Sequence, residues 1–243
     1  MIYWIGCDIQ KAFMVDVAAN CQRVLERIRE AAAKCGRDPN GIKILAASKS
    51  QEASHIRAAL AAGIRLFGEN YVQEARVKRA AIKEATEWHM IGHLQRNKVK
   101  AALQLFDLIE SLDSIELASE LNKEGEKRGK KVRAFVEVNL GGEETKSGIA
   151  KENILPLLQE VGRLSYLHVE GLMVVPPLRD DPEKVRPYFR TLRELQMELK
   201  ELKIPNVDLK ELSMGMTQDY PVAIEEGATL VRLGTAIFGP RRT

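Results

Sequence analysis

The chain reads as an α/β protein folded as a single (β/α)8 TIM barrel, and three observations predict it. Short apolar runs alternate with helical patterns along the whole length. Eight such units can be counted, and strict β/α alternation demands a parallel sheet, because each return crossing needs a helix. The 243 residues suit one closed barrel of eight units, and no long or low-complexity linker divides them.

The elements follow in order. Residues 15–35 carry apolar side chains at helical spacing (Val17, Cys21, Val24, Leu25, Ile28), and Gly36 stops that helix. After a turn at Asp38-Pro39, residues 44–49 form a first strand ending in Lys49, and Ser50 is placed to cap a helix running to about Ala62. Residues 64–67 read as the second strand, with a helix to about Glu84, and residues 87–91 as the third, with a helix over 95–103. The fourth strand, 107–110, precedes a helix that Asp113 caps and that runs through Lys127. Residues 134–139 are the fifth strand, and Gly141-Gly142 open a polar loop before a helix from Lys151. The sixth, 168–175, is closed by Pro176-Pro177 and followed by a long helix over 182–202. Residues 211–213 and 229–233 complete the eight. This divides the chain into an N-terminal extension, 1–14, and a barrel domain, 15–243.

Composition excludes several classes of function. Hydrophobic residues at 45% and charged residues at 29% are those of an ordinary globular protein. The net charge of +3 is small and interleaved along the helices, which argues against a nucleic-acid surface. Aromatic residues at 5% offer no platform for base stacking. Cys7, Cys21 and Cys35 are odd in number and far apart, so no disulfide or metal framework follows and free thiols are expected. The apolar start lacks a basic n-region and is broken by Asp8, too short for a signal peptide or membrane span. A cytoplasmic protein is the expectation.

Barrels build their sites at the C-terminal ends of the strands and commonly hold a phosphate after strands seven and eight. Those loops here are Ser213-Met214-Gly215-Met216-Thr217 and Arg232-Leu233-Gly234-Thr235-Ala236. Each joins a hydroxyl to a glycine, a combination that lets backbone N–H groups and an O–H close on phosphate oxygens. A lone Gly-Thr is an ordinary turn; two such loops at these positions point to a phosphorylated ligand. Lys49, at the end of the first strand, either snorkels into water or presents a partly desolvated, nucleophilic amine to the mouth. Phosphate on one side and amine on the other match pyridoxal 5′-phosphate, whose aldehyde forms a Schiff base with lysine. Arg232 is placed to bond the pyridine nitrogen. An arginine cannot give up its proton, so it would keep that nitrogen unprotonated and the ring a poor electron sink. The alternatives for Arg232 are a phosphate clamp or a structural salt bridge.

Seven segments carry a resemblance: 46–49 (AASK), 67–74 (FGENYVQE), 88–95 (WHMIGHLQ), 144–148 (ETKSG), 171–173 (GLM), 212–216 (LSMGM) and 231–239 (VRLGTAIFG). Together they resemble the pyridoxal phosphate homeostasis protein family, which shares its fold-type III barrel with the N-terminal domain of alanine racemase. The resemblance covers residues 15–241. It implies Lys49 as the lysine that holds the cofactor, and Ser213, Met214, Gly215, Gly234 and Thr235 around its phosphate. It also implies Arg232 at the pyridine nitrogen and Asn70 and Met173 near the ring. Thr217 stands where the family often has serine, and keeps the hydroxyl. The function implied is to hold pyridoxal 5′-phosphate and take part in intracellular vitamin B6 homeostasis, without dedicated catalysis or a metal. Implied partners are pyridoxal-phosphate-dependent apo-enzymes as acceptors, with no nucleic acid or membrane, in a monomer or weak homodimer.

Other residues admit other roles. His89 and His93 have helical metal-ligand spacing, but the first falls in a strand and the second after Gly92, which spoils the geometry. Lys146-Ser147-Gly148 reads as a solvated loop or a second anion contact. Glu69 either orients the ring or lysine, or simply favours a helix N-terminus. The charge-rich stretches 116–131 and 190–203 read as outer faces of the barrel. The main rival function is an amino-acid racemase, which takes a second acid/base from a domain following the barrel; with Thr243 as the last residue, Tyr71, Tyr220 or a partner subunit would have to supply it. A third reading is a barrel enzyme acting on another phosphorylated metabolite.

Overall fold

Strands that are apolar on both faces must be covered on both, and closing the sheet into a helix-wrapped barrel does so. The structure, a computed structural model, describes residues 15–142 and 147–240. Its barrel strands are β1 (Lys43–Ala47), β2 (Leu66–Glu69), β3 (Glu87–Met90), β4 (Leu108–Leu112), β5 (Val132–Asn139), β6 (Leu167–Val174), β7 (Val207–Ser213) and β8 (Leu230–Leu233). All pair in parallel with their sequence neighbours, and β8 returns to β1 to close the ring. A two-residue strand, Ile149–Ala150, pairs with the end of β5.

Nine α-helices are described: α1 (Val17–Lys34), α2 (Ala53–Ala61), α3 (Val72–Ala81), α4 (Val99–Ala102), α5 (Ile115–Arg128), α6 (Ile154–Val161), α7 (Arg186–Glu201), α8 (Tyr220–Glu225) and α9 (Thr235–Phe238). Because α9 is only one turn long, α1 fills the last place in the outer ring, packed on α8 and α9. Arg37 fastens it there, donating to Ile224 O at 2.6 Å and Ala228 O at 2.8 Å. No described helix is long and apolar enough to cross a membrane.

The period-2 alternation of each strand divides the core in two. Outward side chains such as Phe67, Trp88, Val136, Val138, Val231 and Leu233 join the helices in one large apolar layer. Inward ones, Leu45, Leu66, Leu108, Phe135, Met173 and Leu230, plug the barrel.

Several boundaries differ from the sequence reading. β1 ends at Ala47, so Lys49 lies two residues beyond it, in a turn where Ser50 has φ +61°. Ser50 is therefore no cap; Glu52 stands at the N-cap of α2 and makes no side-chain capping bond. β2 starts two residues later than expected, because the Ile64 N–H closes α2 onto Ala59 O. Ser114, not Asp113, caps α5, its Oγ accepting from Leu117 N at 3.3 Å. β5 and β7 begin earlier than their apolar runs, since Arg133, Asp208 and Lys210 sit in the strands as ion-paired residues. The helices expected from 95, 151 and 182 each open with a 3-10 turn. The segment 1–14 and Lys146 lie outside the described residues.

Gly171 permits a close backbone contact in the barrel wall. The ladders of β6 with β5 and with β7 both shift register beside it, and a Cβ there would lie 2.4 Å from Glu211 O. Backbone cannot yield as a side-chain tip can, so Gly171→Ala is expected to lower the unfolding free energy by at least about 2 kcal/mol in denaturant titration. An unchanged midpoint would show that the two strands are free to separate.

Candidate functional site

The mouth is assembled on a graded interior. At the N-terminal end of the strands, Lys43 pairs with Glu211 at 2.5 Å, and Arg133 with Glu87 at 2.8 Å and Glu170 at 2.7 Å. Above the apolar plug, a chain of hydrogen bonds crosses the barrel. His89 on β3 meets Glu110 on β4 at 2.6 Å through Nδ1. The other Glu110 oxygen accepts from Ser213 Oγ on β7 at 2.5 Å, and that hydroxyl in turn accepts from Arg232 on β8 at 2.6 Å. The second guanidinium nitrogen of Arg232 donates to Val174 O at 2.7 Å. Ser213 has one proton, and Glu110 takes it. The hydroxyl expected to touch phosphate thus serves to hold Arg232.

Burial pushes the Arg232 guanidinium down from its usual range, against the pull of Glu110, Glu137 and Asp219. Burial also pushes His89 down, but hydrogen bonds to Glu110 and Glu87 outweigh it and the net direction is upward. Glu87 is held at about 2, by the hydrogen bond from His89 first and by Arg133, against its burial.

Lys49 rides on a clamped turn. Beneath it, Glu69 Oε1 accepts from Ser48 Oγ at 2.6 Å and from Lys78 Nζ at 2.5 Å. Lys78 also donates to Ser48 O at 2.6 Å and Glu74 Oε2 at 3.1 Å, and Ser50 N–H donates to the same Glu74 oxygen at 2.9 Å. Glu69 therefore acts on the lysine turn through the Ser48 hydroxyl and through Lys78. Burial pushes its carboxyl up, against the bonds from Lys78 and Ser48. Lys49 itself is half-buried, with Nζ 5.1 Å from the ring centre of the half-exposed Tyr71. Tyr220 faces the other way, buried under Arg27 of α1.

The two glycine loops close the far side. Gly215 has φ +93°, and a Cβ there would strike Ala223 Cβ at 2.6 Å. Thr217 Oγ1 accepts from Ala236 N at 3.1 Å, tying the β7 loop to α9. A Cβ on Gly234 would be 3.6 Å from Ala47 O, so the loops after β8 and β1 adjoin. Among the described residues, the N–H groups of Gly215, Gly234 and Thr235 donate to no acceptor. Met214 offers no such donor: its side chain is in the outer layer and its N–H bonds Leu230 O at 3.1 Å. Met173 lies inside, paired in register with Ser213 on one side and Glu137 on the other. Asn70 follows β2 directly and lines a 380 Å³ cavity with Tyr71, Gly92 and His93.

The structure thus gathers Lys49, Asn70, Met173, Arg232 and the two glycine loops at the C-terminal ends of β1, β2, β6, β7 and β8. Sequence reasoning missed Glu110, Lys78 and Glu137. Glu137 was detectable: it is a lone acid in the apolar strand 134–138, on the same face as Phe135. It is 6% exposed, and its Oε2 has no hydrogen-bond partner among the described residues. Burial first, then Asp113 and Glu110, push it up to about 7 despite Arg232.

Fold and site together define a barrel of the alanine racemase N-terminal type, and the family model described as alanine racemase, N-terminal domain, matches residues 19–242. An alanine racemase of Clostridium difficile 630 superposes with a TM-score of 0.72 at 15% identity, over 93% of this chain and 60% of that one, a likeness of fold. The pyridoxal phosphate homeostasis protein of Aquifex aeolicus is 48% identical over 221 residues, 90% of this chain and 96% of that protein. A structure of PipY from Synechococcus elongatus with pyridoxal phosphate bound is 36% identical, with a TM-score of 0.77 over 87% of this chain and 100% of that one. The chain belongs to the pyridoxal phosphate homeostasis protein family.

Two measurements test the site's construction. Lys78→Met strands a buried carboxylate under the lysine turn and is expected to cost about 3–5 kcal/mol of stability, most of it recovered in Glu69→Leu/Lys78→Met. Glu137 is an acid raised on folding, so its ionisation favours the unfolded chain. The wild type should therefore lose stability relative to Glu137→Gln as pH rises from about 5 to about 8, by about 2–3 kcal/mol in urea titrations. A pH-independent difference would place that carboxyl in water.

Proposed function

We propose that this chain binds pyridoxal 5′-phosphate in the barrel mouth and takes part in intracellular vitamin B6 homeostasis as a carrier, not a dedicated catalyst. One observation carries the reading: the lysine turn after β1 and the loop after β8 adjoin, with Lys49 on one, Arg232 behind the other and free N–H groups between them. The donor set fits the group. The unpaired N–H groups of Gly215, Gly234 and Thr235 suit phosphate oxygens, and Arg232 supplies a charge-assisted donor for a ring nitrogen. Asn70 and Met173 would lie beside the ring. The cofactor supplies an electrophilic aldehyde carbon, for which Lys49 is the amine.

The chain's own residues favour holding over turnover. Arg232 keeps its proton, so it donates to the ring nitrogen without protonating it and withholds the electron sink that a carboxylate partner would create. The clamp of Glu69 and Lys78 fixes where the amine emerges. The names of the relatives support the homeostatic role, and apo-enzymes that use the cofactor are the natural acceptors. A cytoplasmic location fits such acceptors.

The test is the visible absorbance of the purified protein before and after borohydride reduction. The wild type should be yellow, the reduced chromophore should stay on the peptide containing Lys49, and Lys49→Ala should lack both. Alanine added to the loaded protein should not be racemised; turnover would favour the racemase. A colourless protein that takes up no added pyridoxal 5′-phosphate would overturn the assignment.

A further inference from the structure

We propose that Glu137 is a ligand-binding residue of the mouth whose unpaired carboxylate oxygen accepts a hydrogen bond from a cationic amine on the ligand. The inference rests on the cofactor reading above and extends it to the aminomethyl vitamer, pyridoxamine 5′-phosphate.

Glu137, Met173 and Ser213 are paired across β5, β6 and β7 as one row of the inner wall, and Ser213 bonds a fourth inward residue, Arg232, which lies on β8 two residues beyond its register partner Leu230. On β5 the row lies one inward position beyond Phe135, and on β6 it takes in Met173 at the top of the apolar plug. Three of the four have settled roles, two in the hydrogen-bond chain and one as apolar wall. Glu137 does not: it is buried, and its Oε2 lacks a partner among the described residues. Leaving such an oxygen unsatisfied costs about 1–3 kcal/mol, more for a charged group. A partner that arrives with the ligand removes that cost.

The chemistry of the partner follows from that of the acceptor. A carboxylate accepts only, and in a low-dielectric site it discriminates by charge as well as by hydrogen bonding. The mouth's cations, Lys49 and Arg232, answer the ligand's phosphate and ring; of the three acids that act on Arg232 without bonding it, Glu110 is taken by Ser213 and His89 and Asp219 by the Met216 N–H, which leaves Glu137. A ligand carrying both a phosphate and an ammonium matches this distribution. Pyridoxamine 5′-phosphate is such a ligand, and having no aldehyde it cannot bond covalently to Lys49, so its affinity must come from non-covalent partners. The mouth would then retain both the aldehyde and the amine form, by different residues.

The experiment measures dissociation constants of pyridoxamine 5′-phosphate and pyridoxal 5′-phosphate for the wild type, Glu137→Gln and Glu137→Asp. The wild type should bind the amine form, and Glu137→Gln should lose at least tenfold affinity for it while changing less than threefold for the aldehyde form. Glu137→Asp, which keeps the charge, should restore most of the amine affinity. Three results overturn the proposal: a wild type that does not bind the amine form, an unchanged amine affinity in Glu137→Gln, or equal losses for both vitamers, which marks a merely structural residue. A wild type that takes up the aldehyde form but meets one of these leaves the cofactor reading standing. One that takes up neither removes both.

Discussion

A guanidinium buried in the middle of a barrel is the constraint on which this structure depends. Arg232 is 5% exposed, and an unpaired charge there would cost several kcal/mol. The protein answers with Ser213 and the Val174 carbonyl as direct acceptors, Glu110 behind Ser213, and His89 behind Glu110. Each member comes from a different strand, so the chain also fastens β3, β4, β6, β7 and β8 in one arrangement. Its order is enforced by proton count, since the single Ser213 proton goes to the carboxylate and its lone pair to the arginine. The arginine's remaining hydrogen-bonding capacity is aimed by partners fixed before any ligand arrives, which is the meaning of preorganisation here.

The lysine on the next strand is handled differently. β1 and β8 are neighbours, yet Lys49 is not on the strand but on a turn two residues beyond it, with Ser50 in a left-handed conformation. Such a turn would wander without support. The buried Lys78–Glu69 pair supplies it by gripping Ser48 through side chain and carbonyl together. One side of the mouth is thus rigid through the barrel interior and the other through the helix layer. The loops between keep backbone N–H groups free because Gly215 and Gly234 allow close approach there.

Much of this was legible in the residues, for identifiable reasons. The eight alternating units were visible because strands buried on both faces write continuous apolar runs, and the site's location followed from barrel geometry alone. Boundaries slipped where local chemistry competes with pattern: Ser50 looked like a cap but its N–H is taken by Glu74, and Asp113 looked like one but its neighbour Ser114 does the work. Ser213 was visible as a loop hydroxyl, while its commitment to Glu110 was not, because those residues are 103 apart in the chain. Lys78 was passed over, for nothing in its helix shows that it reaches back under β1. Glu137 was detectable as an acid within an apolar strand but was passed over, and only the three-dimensional structure shows that its Oε2 has no partner among the described residues.

The most direct measurement of the account is the nitrogen-15 resonance of ring-labelled pyridoxal 5′-phosphate bound to the protein. Because the preformed chain presents Arg232 as a donor that does not release its proton, the resonance should be that of an unprotonated pyridine nitrogen. It should stay so as pH falls from about 9 to about 6, a range in which arginine does not titrate. A protonated ring nitrogen, or one that titrates freely as in water, would contradict the central claim that Arg232 and its buried partners govern the ring.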